Sequence, residues 1–206
     1  MAEVSKLRML YNCVNYIRTL PVALCIRGSA HREVIGQDFD RWRDILAGEM
    51  DDFSLKHRFT ALNWLLLNKP EYRALLLHRF RKPPKSLASV AHFAITRLLW
   101  KPMDSLYIHT EDIGGGLFIQ HGFSTIICAE RIGENCWINQ QVTIGYNGND
   151  CPTLEDNVVV HCGAKVIGAI TMHRNSTAAA GAVVVKDVPE NALVGGVPAK
   201  VIKIME

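Results

Sequence analysis

No two of this chain's six cysteines are separated by just two residues. That removes the sequence support for a zinc site or a dithiol redox motif. Cys13, Cys25, Cys128, Cys136, Cys151 and Cys162 are therefore read as reduced thiols, most of them packed as small apolar groups, and no metal is expected. There is also no run of about 18 uncharged apolar residues, so a transmembrane helix is not expected. Residues 1–24 carry Glu3, Lys6, Arg8 and Arg18 spread through them. They lack the charged-then-apolar order and small-residue cleavage site of a signal peptide, so a cytoplasmic protein is expected. No Walker or dinucleotide-binding loop is present.

Glycine is scarce in the first half, where residues 1–103 contain only Gly28, Gly36 and Gly48. Apolar residues there recur at three- and four-residue spacing, as in Leu7, Leu10, Tyr11, Val14 and Ile17, and again in Leu62, Leu65 and Leu66. This is the period of a helix. Pro70 is placed to open a helix, and Pro83 and Pro84 to break the chain before a further helical run over 87–100. Four to six helices are expected. The charge is divided as well. Residues 1–103 hold 17 Lys and Arg against 9 Asp and Glu, whereas 104–206 hold 6 against 11. The basic residues are interspersed with acidic ones except over 78–85, so a nucleic-acid partner is not expected. A peripheral contact with a membrane surface is the weaker alternative to a solvated face.

After Pro102 the period changes to six. Ile126, Ile132, Ile138 and Ile144 form one apolar series; Leu154, Val160, Val166, Met172, Ala178 and Val184 form another. Ile113 and Ile119 extend it upstream. The residue four places after each is often small or β-branched: Cys136, Val142, Val158, Ala164, Ser176 and Ala182. A period of six fits neither a helix nor a simple strand ladder. It fits stacked coils with three flat faces around a narrow apolar core. From Ile119 to Ile126 the step is seven, which reads as one inserted residue. From Ile144 to Leu154 it is ten, and residues 145–153, rich in Gly, Asn, Asp and Pro, read as an excursion from the scaffold.

Several phrases together carry a resemblance. They are Ile113-Gly-Gly-Gly-Leu-Phe-Ile-Gln-His121-Gly, then Ile132-Gly-Glu-Asn-Cys-Trp-Ile-Asn-Gln-Gln-Val-Thr-Ile-Gly145, Gly163-Ala-Lys-Val-Ile-Gly168, Lys186-Asp-Val-Pro189 and Gly196-Val-Pro-Ala-Lys200. As an ordered set over about 95 residues they resemble the serine acetyltransferase branch of the hexapeptide acyltransferases. Upstream, Asn68-Lys-Pro-Glu-Tyr-Arg73 and His78-Arg-Phe-Arg81 resemble, more loosely, the helical lead-in of a subgroup acting in capsule, exopolysaccharide and colanic acid synthesis. The resemblance implies an α+β chain: a helical region, 1–103, a left-handed parallel β-helix, 104–198, and a C-terminal tail, 199–206. It further implies a homotrimer with acetyl-CoA bound as co-substrate between neighbouring subunits.

The resemblance makes His121 the general base, removing the acceptor's proton as its oxygen attacks the thioester. Asp104, Glu111, Glu130 or a backbone carbonyl are the candidates to orient it. The acceptor region would comprise Tyr107, His109, Gln120, Asn147, Asp150 and Cys151, with Asn149 able to add a hydrogen bond. Acetyl-CoA would lie along Gly145, Gly163, Ala164, Ala180 and Gly181, its phosphates near Lys186, Lys200 and Lys203. His161 and His173 read as surface residues. The family pattern has an aspartate where Gln120 stands, another where Tyr107 stands, and an Arg-His pair at Asp150-Cys151. Since an acidic Asp150 would repel an amino-acid carboxylate, the expected acceptor is a sugar hydroxyl of a polysaccharide or its precursor. The alternatives are serine O-acetyl transfer for cysteine synthesis and a non-catalytic β-helix that binds a partner. The chain ends at Glu206, so the tail ending in isoleucine by which serine acetyltransferases dock on their sulfhydrylase is expected to be missing.

Overall fold

A computed structural model describes residues 2–81 and 87–205, with side chains placed from Val14 onward. The chain divides into two compact units: Met1–Ile35 with Trp42–Pro102, and Gly36–Arg41 with Met103–Glu206.

The described part of the first unit is helical. Its elements are α1 (Ala2–Gly28), the two ends of α2 (Arg32–Ile45, whose middle, Gly36–Arg41, belongs to the second unit), a short 3-10 turn (Ala47–Glu49), α3 (Asp52–Lys56), α4 (Arg58–Asn68), α5 (Pro70–Arg81) and α6 (Leu87–Leu99). Pro70 opens α5, where its fixed φ suits a first turn and its missing N–H costs nothing. Asp51 caps α3. Its carboxylate accepts from the Ser54 N–H and from the Ser54 hydroxyl, both at 2.9 Å, and these bonds hold its pKa below the usual aspartate value. Pro83 and Pro84 lie outside the described residues. The core is formed by Trp42, Leu65, Leu66, Tyr72, Leu75 and Phe80, with the Trp42 and Tyr72 rings edge-on at 5.4 Å. One feature of α1 runs against its sequence pattern. Val14 and Ile17, which belong to its apolar stripe, face solvent, while Asn15 and Thr19 are buried.

The second unit is a parallel β-helix. Fifteen short strands follow one another: β1 (Leu106–Ile108), β2 (Asp112–Ile113), β3 (Phe118–Ile119), β4 (Thr125–Ile127), β5 (Arg131–Ile132), β6 (Trp137–Ile138), β7 (Thr143–Gly145), β8 (Thr153–Leu154), β9 (Val159–Val160), β10 (Lys165–Ile167), β11 (Thr171–Met172), β12 (Thr177–Ala178), β13 (Val183–Val184), β14 (Ala192–Gly196) and β15 (Ala199–Ile204). Up to β13, every third strand stacks on the same face. The first sheet is β1-β4-β7-β10-β13, the second β2-β5-β8-β11, and the third β3-β6-β9-β12-β14-β15. All pairings are parallel except β14 with β15, which is antiparallel, so residues 199–204 close the third sheet as a hairpin arm.

The six-residue series fills the core as its period requires. Ile113, Ile119, Ile132, Ile138, Ile144, Leu154, Val160, Val166, Met172, Ala178 and Val184 are all buried, and so are the corner residues Cys136, Val142, Val158, Ala164, Ser176 and Ala182. Ile126 is the exception and corrects the phase. It is 42% exposed, while Ile127 is fully buried and pairs with Ile144. Side chains alternate along a strand, so a slip of one residue exchanges inside for outside. The step from Ile119 is therefore eight, and two residues rather than one are inserted.

One corner of each coil requires a left-handed backbone. Asn135, Asn157, Asn175 and Asn191 occupy it with φ near +57°, a conformation asparagine tolerates better than most side chains. Their amides form a ladder up the coils, Asn157 to Asn175 at 3.0 Å and Asn175 to Asn191 at 2.9 Å. At the first coil the same corner is Gly116, and there the buried Asp38 carboxylate accepts from the Gly116 N–H at 2.8 Å and the Leu117 N–H at 3.2 Å. In the higher coils the N–H at this corner bonds to the coil before, as Asn135 does to Gly115; Gly116 has no preceding coil, and a charge-assisted acceptor replaces it.

Candidate active site

His121 stands at the corner between β3 and β4, where the two inserted residues lie. In the other three coils that cross this corner the core-to-core step is six, as from Ile138 to Ile144. The extra length forms a turn in which both His121 and Ser124 adopt left-handed backbones, with φ of 57° and 52°, and the His121 carbonyl accepts from the Phe123 N–H. Such conformations persist only where the surroundings impose them. The result is an imidazole held clear of the core and exposed. No hydrogen bond to that imidazole occurs among the described residues. Glu130, one of the carboxylates expected to orient it, instead faces Cys151, 3.9 Å from its Sγ.

Gln120, beside His121, is fixed by the coil above. Trp137 donates its indole N–H to Gln120 Oε1 at 3.3 Å, and the Trp137 ring packs edge-on against Phe118 at 4.7 Å. An indole can only donate, so the amide oxygen is taken and the Gln120 NH2 keeps two N–H donors. Asn139 and Gln140 follow at the same corner. Their side-chain oxygens are buried with no hydrogen-bond partner among the described residues. Sequence reasoning missed both. The available signal was a polar pair where the higher coils carry His161-Cys162 and Ala179-Ala180. Gly163 and Gly181 stack at this corner too, with φ near +70°, and Ala180 is exposed beside them. Ala164 differs: its side chain points into the core, and its N–H and carbonyl bond to His161 and Thr143. It leaves no surface for a cofactor.

Most of the remaining expected residues lie at the opposite edge of the first sheet. Pairing sets His109 beside Cys128 and Cys128 beside Gly145, at the ends of β1, β4 and β7. Tyr107 lies on β1 and His109 directly after that strand, their rings parallel and 6.4 Å apart. In the loop after β7, Asn147 and Asp150 close a turn through their backbones at 2.9 and 3.4 Å. The Tyr146 phenol meets the thiols of Cys128 and Cys151. Those contacts, Cys128 first, push its pKa up to about 12. Burial raises the Cys151 pKa, and the negative charge on Glu130 adds to it. A thiol so placed stays protonated at neutral pH and is not an activated nucleophile. Lys186 follows β13, and Lys200 and Lys203 lie on β15; all three are exposed.

The expected site residues thus fall into two groups, His121 with Gln120 on one edge and Tyr107, His109, Gly145 and Cys151 on the other. A three-residue strand separates them by about 10 Å.

Fold and repeat together define a hexapeptide-repeat β-helix protein with a helical N-terminal unit. The chain is 38% identical over 154 residues to a serine acetyltransferase of Synechococcus elongatus, covering 67% of this chain and 59% of that protein. It is 41% identical over 95 residues to the serine acetyltransferase of Bacillus licheniformis, 44% of each. The chain spans less than two thirds of the length of these relatives. No family model matches. Among solved structures, serine acetyltransferase from Brucella abortus superposes with a TM-score of 0.61 at 23% identity, over 91% of this chain and 75% of that one. The Neisseria gonorrhoeae serine acetyltransferase in complex with serine gives 0.60 at 22%, over 88% and 72%. A serine acetyltransferase in complex with CoA gives 0.59 at 18%, over 91% and 83%. The fold of this chain is the fold of those enzymes.

These comparisons overturn the expectation of a sugar hydroxyl as acceptor, because the relatives and structural neighbours are serine acetyltransferases. The expectation rested on the sign of Asp150. In the structure Asp150 is an exposed turn residue tied to Asn147 through its backbone, so its charge does not measure the acceptor pocket.

Proposed function

We propose that the chain is an acetyl-CoA-dependent serine O-acetyltransferase with His121 as general base. The observation that carries this reading is the 38% identity over 154 residues to a serine acetyltransferase, a stretch long enough to take in the β-helix. The chemistry follows from the site. The His121 imidazole takes the proton from the serine hydroxyl as that oxygen bonds to the thioester carbonyl; the carbon–sulfur bond then breaks and the CoA sulfur leaves with a proton. No covalent enzyme intermediate is needed, so positioning supplies much of the rate. The two N–H donors of Gln120 suit the acceptor carboxylate. The orphaned oxygens of Asn139 and Gln140 suit N–H groups such as the amides of a pantetheine arm.

The two groups of residues favour a homotrimer, in which the His121 edge of one copy meets the His109 edge of the next. Gly163, Ala180 and Gly181 would then line the acetyl-CoA path, with Lys186, Lys200 and Lys203 available to its phosphates.

Incubation of the chain with acetyl-CoA and L-serine tests the reading, with thioester loss followed by absorbance. Serine-dependent loss is expected, and His121→Asn should lower kcat by roughly 10²- to 10⁴-fold. Equal rates with and without serine, or full activity of the variant, would refute it.

A further inference from the structure

We infer that the helical unit carries a docking face for an anionic phospholipid bilayer. α1 and α6 bury polar side chains and leave apolar ones outside. On α1 the inward positions hold Asn15 and Thr19 before Val22 and Cys25, while Val14, Ile17 (72% exposed) and Leu24 face solvent. On α6 the buried position is Thr96, while Leu87 (88% exposed), Val90 and Leu98 (86% exposed) face solvent. The inward polar groups of α1 are paired: the Thr19 hydroxyl donates to Asn63 Oδ1 at 2.8 Å, and Arg18 donates to Asn15 Oδ1 at 3.2 Å. The arrangement is therefore built into the packing. The two helices are neighbours. Arg18 bonds to the Leu99 carbonyl, and Trp100 donates to the Arg18 carbonyl at 3.3 Å. Apolar side chains gathered on one face of a soluble protein mark a surface that something covers.

Charge decides the occupant. The exposed charged residues among the described side chains of α1, α6 and the residues flanking α6 are Arg27, Arg81, Arg97 and Lys101, all cations. Of the nine acidic residues in the first 103, only Glu3 lies on either helix. A second copy of the chain would bring cation against cation. Anionic headgroups would neutralise these charges while the apolar side chains enter the acyl boundary. Next to Val90 lies a cavity lined by Phe80, Ser89 and Phe93, with the Arg81 guanidinium over the Phe93 ring at 5.6 Å. That arrangement suits an acyl chain beneath a phosphate. Among the described residues no helix is long and apolar enough to cross a membrane, so the face lies on the bilayer.

Co-sedimentation of the full chain with vesicles tests this, using phosphatidylcholine alone and phosphatidylcholine mixed with phosphatidylglycerol. Binding to the mixed vesicles is expected, weakened at least about tenfold in the double variant Ile17→Glu, Leu98→Glu and weakened by added salt. Arg97→Glu, a surface change that leaves the packing intact, should weaken it as well. Thermal melting of each variant confirms folding independently of any acetyl transfer. Equal retention on both vesicle types, or no retention on either, would overturn the inference. So would sedimentation showing that the double variant breaks up an assembly of copies, since the face would then be a self-interface.

Discussion

The indole N–H of Trp137 donates to Gln120 Oε1 at 3.3 Å, one coil above the residue that precedes His121. The bond occupies the Gln120 amide oxygen and fixes the side chain. Trp137→Phe removes it while keeping the ring packing against Phe118. The expected outcome is a roughly fivefold fall in kcat/KM for serine, the equivalent of about 1 kcal/mol, with little change in melting temperature. Steady-state kinetics at varied serine and at varied acetyl-CoA should place the loss on the serine side.

The two-edged site predicts complementation. His121→Asn damages one edge and His109→Asn the other. In the proposed homotrimer, refolding an equal mixture would give interfaces in which an intact His121 edge meets an intact His109 edge. About a quarter of interfaces should be of this kind, so activity should rise above that of either parent toward that fraction. A mixture no more active than the sum of its parts would place the whole site within one chain.

Asp38 is 1% exposed and accepts two backbone N–H bonds at the first coil. Asp38→Ala leaves both donors buried without that acceptor, a cost of about 2–5 kcal/mol. Urea unfolding should show a lower midpoint. Asp38→Asn, which keeps one acceptor oxygen, should recover part of it.

Asn175 occupies a left-handed corner with φ of 59° and bonds to Asn157 and Asn191. Asn175→Ala loses both bonds and keeps a Cβ in a left-handed corner without the polar side chain that lets asparagine tolerate it. Asn175→Gly loses the bonds alone. The alanine variant should therefore be the less stable of the two by about 1 kcal/mol.

Burial pushes the Cys136 thiol up to about 12, and its Sγ donates to the Glu155 carbonyl at 3.1 Å. A thiol has an ordinary value of about 9, so the folded state holds its proton more tightly than the unfolded chain does. The sign follows: this contribution is fully present below pH 9 and is lost as pH rises from 9 toward 12. Stability measured across that range should fall, and Cys136→Ala should flatten the fall. Alkylation of the native protein should spare Cys136 at neutral pH.

The six-residue period was enough to establish stacked coils with a narrow core, because each coil repeats one pattern of burial. The three- and four-residue spacing likewise established helices ahead of it. His121 stood out among the histidines by its glycine-rich phrase. What local pattern could not give was anything fixed by a neighbour distant in sequence. Ile126 and Ile127 are both isoleucine, and only pairing with β7 decides which one enters the core. The stripe of α1 announces a helix, but whether Val14 and Ile17 or Asn15 and Thr19 turn inward depends on partners such as Asn63, 44 residues after Thr19. Asp38 meets Gly116 across 78 residues. The division of the site into two edges belongs to the same class. His121 and His109 are twelve apart in the chain, yet the coil places them on opposite sides of a sheet. Sequence determined the repeating scaffold, whose information is local and redundant. Tertiary structure decided phase, facing and the arrangement of the site, each of which rests on a single long-range contact.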